Sequence, residues 1–67
     1  MIALIINGQT RSFPAPLSVT ALIESLELQG KRIALECNGE IVPRSAFQAM
    51  NLTDGDALEI VVAVGGG

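Results

Sequence analysis

The chain has 67 residues, a single cysteine and a formal net charge of −3, and 49% of its residues are hydrophobic. This length allows one domain, and the hydrophobic content is too high for a disordered chain. No apolar run approaches the ~20 residues of a membrane-spanning helix, and no secretion leader is recognisable. One cysteine excludes an internal disulfide, which is typical of a reducing compartment. We therefore expect a cytoplasmic protein without a membrane partner.

Nucleic-acid binding requires clustered positive charge and, for stacking on bases, several aromatic side chains. This chain has four cations against seven acids, and its only aromatic residues are two phenylalanines. The cations are spread along the sequence as Arg11, Lys31, Arg32 and Arg44. We therefore expect no nucleic-acid partner.

Two Asn-Gly pairs each predict a tight β-hairpin, because this dipeptide supplies the two positive φ angles of a type I′ turn. Asn7-Gly8 follows "MIALII", and Asn38-Gly39 follows "RIALEC". Prolines near each returning strand confine those strands to the sheet edges. In the strands that enter the turns, alternation directs one set of side chains inward: Ile2, Leu4 and Ile6 in the first, and Ile33, Leu35 and Cys37 in the second. Phe13 is the best core candidate of the first returning strand.

The segment "LSVTALIESLELQG" predicts an amphipathic helix. Ser18 is a typical N-cap, and apolar residues follow it at helical spacing, at Val19, Leu22, Ile23 and Leu26. Gly30 is placed where a left-handed C′ residue is usual, so the predicted helix runs from Val19 to Gln29.

The last third predicts a helical turn in "SAFQAMNL", a tight turn in "TDGD" and a final strand in "ALEIVVAV". The first and last strands are apolar on both faces, which indicates that they are central in the sheet. The order β-β-α-β-β-turn-β predicts an α+β, β-grasp (ubiquitin-like) fold, with a mixed sheet of four or five strands and one main helix on one face. We expect this domain to cover residues 1–63, followed by a flexible glycine tail at 64–67.

The side chains offer no catalytic set. Histidine is absent, and Cys37 alternates with apolar residues, which favours a small buried side chain over a nucleophile. Asp54 and Asp56 flank Gly55, where aspartate accepts backbone hydrogen bonds of a turn more often than it binds a metal. We expect no metal, no permanently bound cofactor and no enzymatic activity of the chain itself.

The remaining chemical group is the carboxylate of Gly67 in the ending "AVGGG". If the last strand ends near Ala63, the four following residues reach about 13 Å beyond the sheet at ~3.3 Å each. Because glycine has no Cβ, such a segment fits a channel that is too narrow for other residues. A free carboxylate held there can attack the α-phosphate of ATP. We therefore expect Val64, Gly65 and Gly66 to thread into the active sites of partner enzymes.

A second candidate site is the sheet face turned away from the helix. Alternation places Ala3, Ile5, Val61 and Ala63 there, whereas a one-sided sheet is usually polar on its outer face. Contiguous exposed apolar residues indicate a docking surface for a partner. The alternative is that central strands are simply apolar throughout, and the sequence favours neither interpretation.

The chain resembles the small, ubiquitin-like (ThiS-like) sulfur carriers of thiamin biosynthesis. The resemblance spans the whole chain and is carried by the Asn7-Gly8 hairpin and by "NGEIVPR", "LTDGDALEIV" and "AVGGG". It implies that an E1-like adenylyltransferase, using ATP-Mg, activates Gly67. It further implies that a cysteine desulfurase and sulfurtransferase relay converts Gly67 to a thiocarboxylate (1-thioglycine), and that thiazole synthase takes the sulfur. The resemblance also implies that Gly66 is the obligate neighbour of Gly67, and it leaves the role of Gly65 open.

Three alternatives remain. The sulfur carrier that forms the small subunit of molybdopterin synthase shares the fold, tail and activation but serves a different recipient. A protein-conjugating modifier would form isopeptide bonds to lysines. A β-grasp binding module with incidental glycines would lose no function when Gly66 and Gly67 are deleted.

Overall fold

A computed structural model describes residues 1–63 of the chain. The main sheet has five strands in the order β2-β1-β7-β4-β5, and β3 and β6 form a second, two-stranded sheet. The elements are β1 (Ile2–Ile6), β2 (Gln9–Phe13), β3 (Leu17–Ser18), α1 (Val19–Ser25), β4 (Ile33–Cys37), β5 (Glu40–Ile41), a 3₁₀ turn (Arg44–Ala46), β6 (Asn51–Leu52) and β7 (Ala57–Val62). Within residues 1–63, no helix has the length and hydropathy needed to cross a bilayer. The architecture is the predicted β-grasp.

Both predicted hairpin turns are present. Asn7 and Gly8 have φ angles of 50° and 84°, and Asn38 and Gly39 have φ angles of 53° and 86°. Positive φ at both central residues is what a type I′ turn requires. The first turn joins β1 to β2, and the second joins β4 to β5.

Strand β7 lies at the centre of the main sheet. On one side it pairs in parallel with β1, where Ile5 is opposite Ala57. On the other side it pairs antiparallel with β4 from Cys37 opposite Leu58 to Ile33 opposite Val62. The prediction that the first and last strands are interior, with the proline-limited strands β2 and β5 at the edges, is confirmed.

The side chain of Asn7 extends the pairing of β7 beyond the end of β1. The backbone N–H of Asn7 donates to the carbonyl of Leu58 at 2.9 Å. Two residues further along β7, at Ile60, the carboxamide of Asn7 takes the place of a backbone partner. Its Oδ1 accepts from the N–H of Ile60 at 2.8 Å, and its Nδ2 donates to the carbonyl of Ile60 at 3.1 Å. The turn residue therefore also acts as a ladder residue of the sheet.

The core lies between the main sheet and α1. Its five most deeply buried side chains are Leu4, Val19, Leu22, Leu35 and Leu58. Phe13 and Cys37 are buried too, as the strand patterns predict, and Phe47 and Met50 after the 3₁₀ turn pack against the core. Burial of a large aliphatic side chain contributes about 1.5–3 kcal/mol, so this single apolar layer supplies most of the stabilisation.

Helix α1 begins as predicted. Ser18 has an extended backbone, and its Oγ accepts a hydrogen bond from the N–H of Ala21 at 3.0 Å. This bond satisfies one of the unpaired N–H groups of the first helical turn. Val19, Leu22 and Ile23 face the core, which confirms the predicted helical spacing.

The predicted end of α1 at Gln29 is wrong, because the helix ends at Ser25. The left-handed residue is Glu27, with a φ of 60°. The N–H of Glu27 donates to the carbonyl of Glu24 at 3.0 Å, and the N–H of Leu28 donates to that of Ile23 at 2.9 Å. This pair of bonds is the Schellman closure of a helix, with glutamate where glycine is usual.

Gly30, which the sequence suggested as the helix cap, belongs to the next turn. Its φ is 81°. The N–H of Lys31 donates to the carbonyl of Leu28 at 3.1 Å and closes this turn. Leu28 also packs against the core, which favours the early reversal because it returns an apolar side chain to the helix-covered face.

We predict that Asn7→Gly lowers the free energy of unfolding by about 1–3 kcal/mol, because it leaves the partly buried N–H and carbonyl of Ile60 without partners. Glycine keeps the positive φ angle, so the turn itself is spared. Urea denaturation measures the loss. The comparison variant is Asn38→Gly, whose side-chain bonds to Asp56 and Ala57 are exposed and are replaced by water at lower cost. Equal losses for the two variants would contradict the prediction.

Candidate functional site

The predicted tail, Val64 to Gly67, lies outside the described residues. What the structure defines is the point from which it starts. The N–H of Ala63 donates to the carbonyl of Arg32 at 2.9 Å, and the preceding residue, Val62, pairs with Ile33 of β4. The last described residue is therefore still hydrogen-bonded to the sheet.

The predicted docking residues lie on the face opposite α1, which we call the outer face. Ala3 and Ile5 alternate with the buried residues of β1, and Val61 and Ala63 alternate with the inward residues of β7. Val61 is 63% exposed and Ile5 is 40% exposed. The inferred facing of these residues is confirmed, whereas binding of a partner there stays a prediction.

The four predicted residues form two patches on the outer face. Ile5 is level with Ala57, and Val61 is four residues further along β7, about 13 Å away at ~3.3 Å per residue. Between the patches lies Glu59, which is directly opposite Glu36 of β4. The patch at the end of β7 also contains Ala34, which pairs with Val61 and which the sequence interpretation did not include.

Of the two aspartates before β7, Asp56 accepts a hydrogen bond of the turn, as predicted, whereas the bond that Asp54 accepts comes from β1 and not from the turn. Oδ1 of Asp54 accepts from the N–H of Ala3 at 2.7 Å. Asp56 accepts from the N–H of Thr53 at 2.9 Å and from Nδ2 of Asn38 at 3.0 Å. Asn38 in turn accepts from the N–H of Ala57 at 3.0 Å. These bonds tie the beginning of β7 to β1 and to the second hairpin.

The same contacts shift two pKa values. Partial burial of Asp56 favours its neutral form, but hydrogen bonds from Thr53, Asn38 and the thiol of Cys37 outweigh burial and lower the pKa of Asp56. Burial raises the pKa of Cys37, and the negative charge of Asp56 raises it further. A thiol held in its neutral form is a poor nucleophile. The structure therefore agrees with the interpretation of Cys37 as a buried apolar side chain.

The cations are not scattered in space as they are in the sequence. Three of the four line one surface cavity of about 440 Å³, together with apolar side chains of the core margin. They are Lys31, Arg32 and Arg44. The loop after α1 and the 3₁₀ turn bring them together, and the sequence does not reveal this because a complete β-hairpin separates Arg32 from Arg44.

Comparison with known proteins gives a consistent result. The model of the ThiS family matches residues 4–67. The sulfur carrier protein ThiS of Bacillus subtilis (strain 168) is 36% identical over 50 residues, which cover 75% of this chain and 76% of that protein. The crystal structure of the thiamine biosynthesis protein ThiS from Geobacter metallireducens is 36% identical, with a TM-score of 0.82, and the match covers 98% of this chain and 100% of that one.

A third relative is much longer. The thiazole synthase of Paramagnetospirillum magneticum (strain ATCC 700264 / AMB-1) is 45% identical over 64 residues, which cover 96% of this chain but 20% of that protein. The chain therefore spans about a fifth of the length of this relative.

We predict that the stabilising contribution of Asp56 is lost in acid. A carboxyl group whose pKa is lowered by folding stabilises the folded state above its unfolded pKa, and this contribution disappears as the pH falls through the folded pKa. The isosteric variant Asp56→Asn should therefore be less stable than the parent at neutral pH, and the difference should shrink between about pH 5 and about pH 2. Urea denaturation across this range provides the measurement. A difference that does not change with pH would contradict the assignment.

Proposed function

The chain belongs to the ThiS family, and from this membership we propose that it is a sulfur carrier whose Gly67 carboxyl group is adenylated and then converted to a thiocarboxylate. The observation that carries the proposal is the family match through residue 67. The hydrogen bond of Ala63 to Arg32 supports it, because it anchors the residue that precedes Val64, Gly65, Gly66 and Gly67.

The proposed chemistry belongs to partner enzymes. A carboxylate oxygen of Gly67 attacks the α-phosphorus of ATP on an E1-like adenylyltransferase, which supplies the Mg²⁺ and releases pyrophosphate. The terminal sulfur of a persulfide, charged by a cysteine desulfurase relay, attacks the acyl carbon and expels AMP. A thiol of the relay then attacks the sulfur distal to the acyl group, forms a disulfide with it, and so releases the thiocarboxylate. The chain is a co-substrate in this cycle, which we place in the cytoplasm, and it needs no bound cofactor of its own.

We propose thiazole synthase as the recipient of the sulfur. The support is the thiazole synthase of P. magneticum, one segment of which is 45% identical to nearly all of this chain. A polypeptide that contains both a carrier-like segment and the remainder of a thiazole synthase favours that recipient over a molybdopterin synthase. The family match and this relative also favour a carrier over a binding module with incidental glycines.

Intact-mass spectrometry tests the loading of Gly67. The mass of the purified protein first establishes that Gly67 carries the terminal carboxyl group. After incubation with the adenylating enzyme, ATP-Mg and a persulfide source, we expect a mass gain that matches the exchange of one oxygen atom for sulfur. An alkylating reagent then traps the thiocarboxylate at Gly67. Subsequent incubation with thiazole synthase and its small substrates should reverse the gain, whereas the large subunit of molybdopterin synthase should not.

The control for this experiment is a chain that lacks Gly66 and Gly67. It should melt at the same temperature as the parent, because residues 1–63 contain the folded core, yet it should gain no sulfur. A parent protein that gains no mass, under conditions in which another ThiS carrier reacts, would contradict the proposal. Transfer to molybdopterin synthase alone would support the alternative recipient.

We further propose that the outer face, through Ala3, Ile5, Val61 and Ala63, contacts the adenylating enzyme. The patch at the end of β7 adjoins the residues that must enter that enzyme, and the exposed side chain of Val61 leaves apolar area for a partner to bury. Truncation costs more than about 1 kcal/mol at fewer than roughly 30% of interface residues, and these residues cluster near the centre of the interface, where water is excluded.

We predict that Val61→Gln raises the KM of the adenylating enzyme for the carrier by about tenfold. The matched control is Ile41→Gln on the edge strand β5, where the side chain is 77% exposed and lies on the same face but two strands away from Val61. Its KM should stay unchanged. Steady-state ATP–pyrophosphate exchange measures both variants, with melting curves to verify folding. Equal KM values for the two variants would argue against docking through this patch.

A further inference from the structure

One cavity beside the end of β7 combines positive charge with an apolar wall, and we call it the cation cavity. Lys31, Arg32 and Arg44 lie at its rim and are exposed, whereas Ile23, Leu28 and Phe47 are buried or half-buried in its wall. Its volume is about 440 Å³. No carboxylate of the described residues lines it.

The grouping of these charges is unfavourable for the isolated domain. The chain carries a net charge of −3 with four cations in all, yet three of them converge on this cavity. None of the hydrogen bonds within residues 1–63 is donated by the side chains of Lys31, Arg32 or Arg44. Like charges that converge without a compensating acid create a positive local potential, which attracts an anionic group.

The cavity lies next to the point from which the tail starts. The carbonyl of Arg32 accepts the hydrogen bond from the N–H of Ala63, and Ile33, which also lines the cavity, pairs with Val62. The cavity therefore borders the point at which β7 ends. A protein that encloses the residues after Ala63 must lie close to this rim.

We propose that the cation cavity binds an acidic segment of the adenylating enzyme. In this complex, carboxylates of the segment face the three cations, and one apolar side chain of the segment packs on the apolar wall. This inference rests on the proposed function. A free phosphate or nucleotide phosphate would leave the apolar wall around Leu28 and Phe47 uncovered. A peptide segment carries both kinds of group, and arginine binds carboxylates through paired hydrogen bonds.

Charge reversal with a matched control tests this proposal. Arg32→Glu and Arg44→Glu remove cations of the cavity, and the backbone carbonyl of residue 32 stays available to Ala63. The control, Arg11→Glu, changes the net charge equally but lies on β2, over the ring of Phe13 at 5.7 Å from its centroid. Melting curves show that each variant folds.

In ATP–pyrophosphate exchange, we expect both cavity variants to raise the KM for the carrier by about tenfold with kcat retained. The control should change KM by less than about twofold. The KM of the parent should rise with salt, and the cavity variants should lose most of that dependence, because opposite charges steer the encounter. Reversal of an acidic patch on the enzyme should restore the KM of Arg32→Glu.

Two results would overturn the inference. The first is a KM for the cavity variants equal to that of Arg11→Glu. The second is a set of NMR shifts showing that inorganic phosphate or ATP alone occupies the cavity, while the KM of the cavity variants is unchanged. The thiocarboxylate mass gain at saturating enzyme separates this outcome from failure of the proposed function. If the parent gains sulfur and the cavity variants share its KM, the cation cavity alone is misassigned. If the parent never gains sulfur, the carrier function itself is wrong.

Discussion

The backbone of β7 is hydrogen-bonded along both of its edges, and two asparagine side chains supply part of that bonding. Asn7 bonds the N–H and the carbonyl of Ile60, and Asn38 accepts from the N–H of Ala57. Each asparagine also occupies the first central position of a type I′ turn. One residue type therefore reverses the chain and holds the central strand. Ala63, the last described residue, directly follows this strand.

Much of the fold was predictable because its signals are local. The Asn-Gly turns, the Ser18 cap and the alternation in β1, β4 and β7 each depend on residues a few positions apart, and all were confirmed. The end of α1 was not predictable in this way. Glutamate is a poor left-handed residue, and Glu27 adopts that conformation because the Schellman bonds and the packing of Leu28 hold it there. The two-residue strands β3 and β6 also escaped detection, since they pair across more than thirty residues.

The candidate site also has one part that the sequence predicts and another part that it does not. The outer-face residues followed from simple alternation, but alternation does not show that Glu59 separates them into two patches. The cation cavity has no sequence signature, because the loop after α1 and the 3₁₀ turn meet only in three dimensions. The proposal for Gly67 depends on family membership rather than on a side-chain pattern. Two of the seven acids, Glu36 and Glu59, are opposite each other on the outer face, whereas three of the four cations line the cavity beside the end of β7.

The parallel pairing of β1 and β7 has a consequence for protein engineering. Ile5 is level with Ala57, so continuing the same register puts the start of β1 about eight residues of strand, roughly 26 Å, from Val62. Two neighbouring parallel strands necessarily begin at one end of the sheet and finish at the other. A purification tag, fluorophore or second domain joined before Met1 therefore projects from the end of the sheet opposite Ala63. Such a fusion leaves the exit of β7 sterically open, so the domain suits display and single-molecule formats that need an unobstructed carboxyl end.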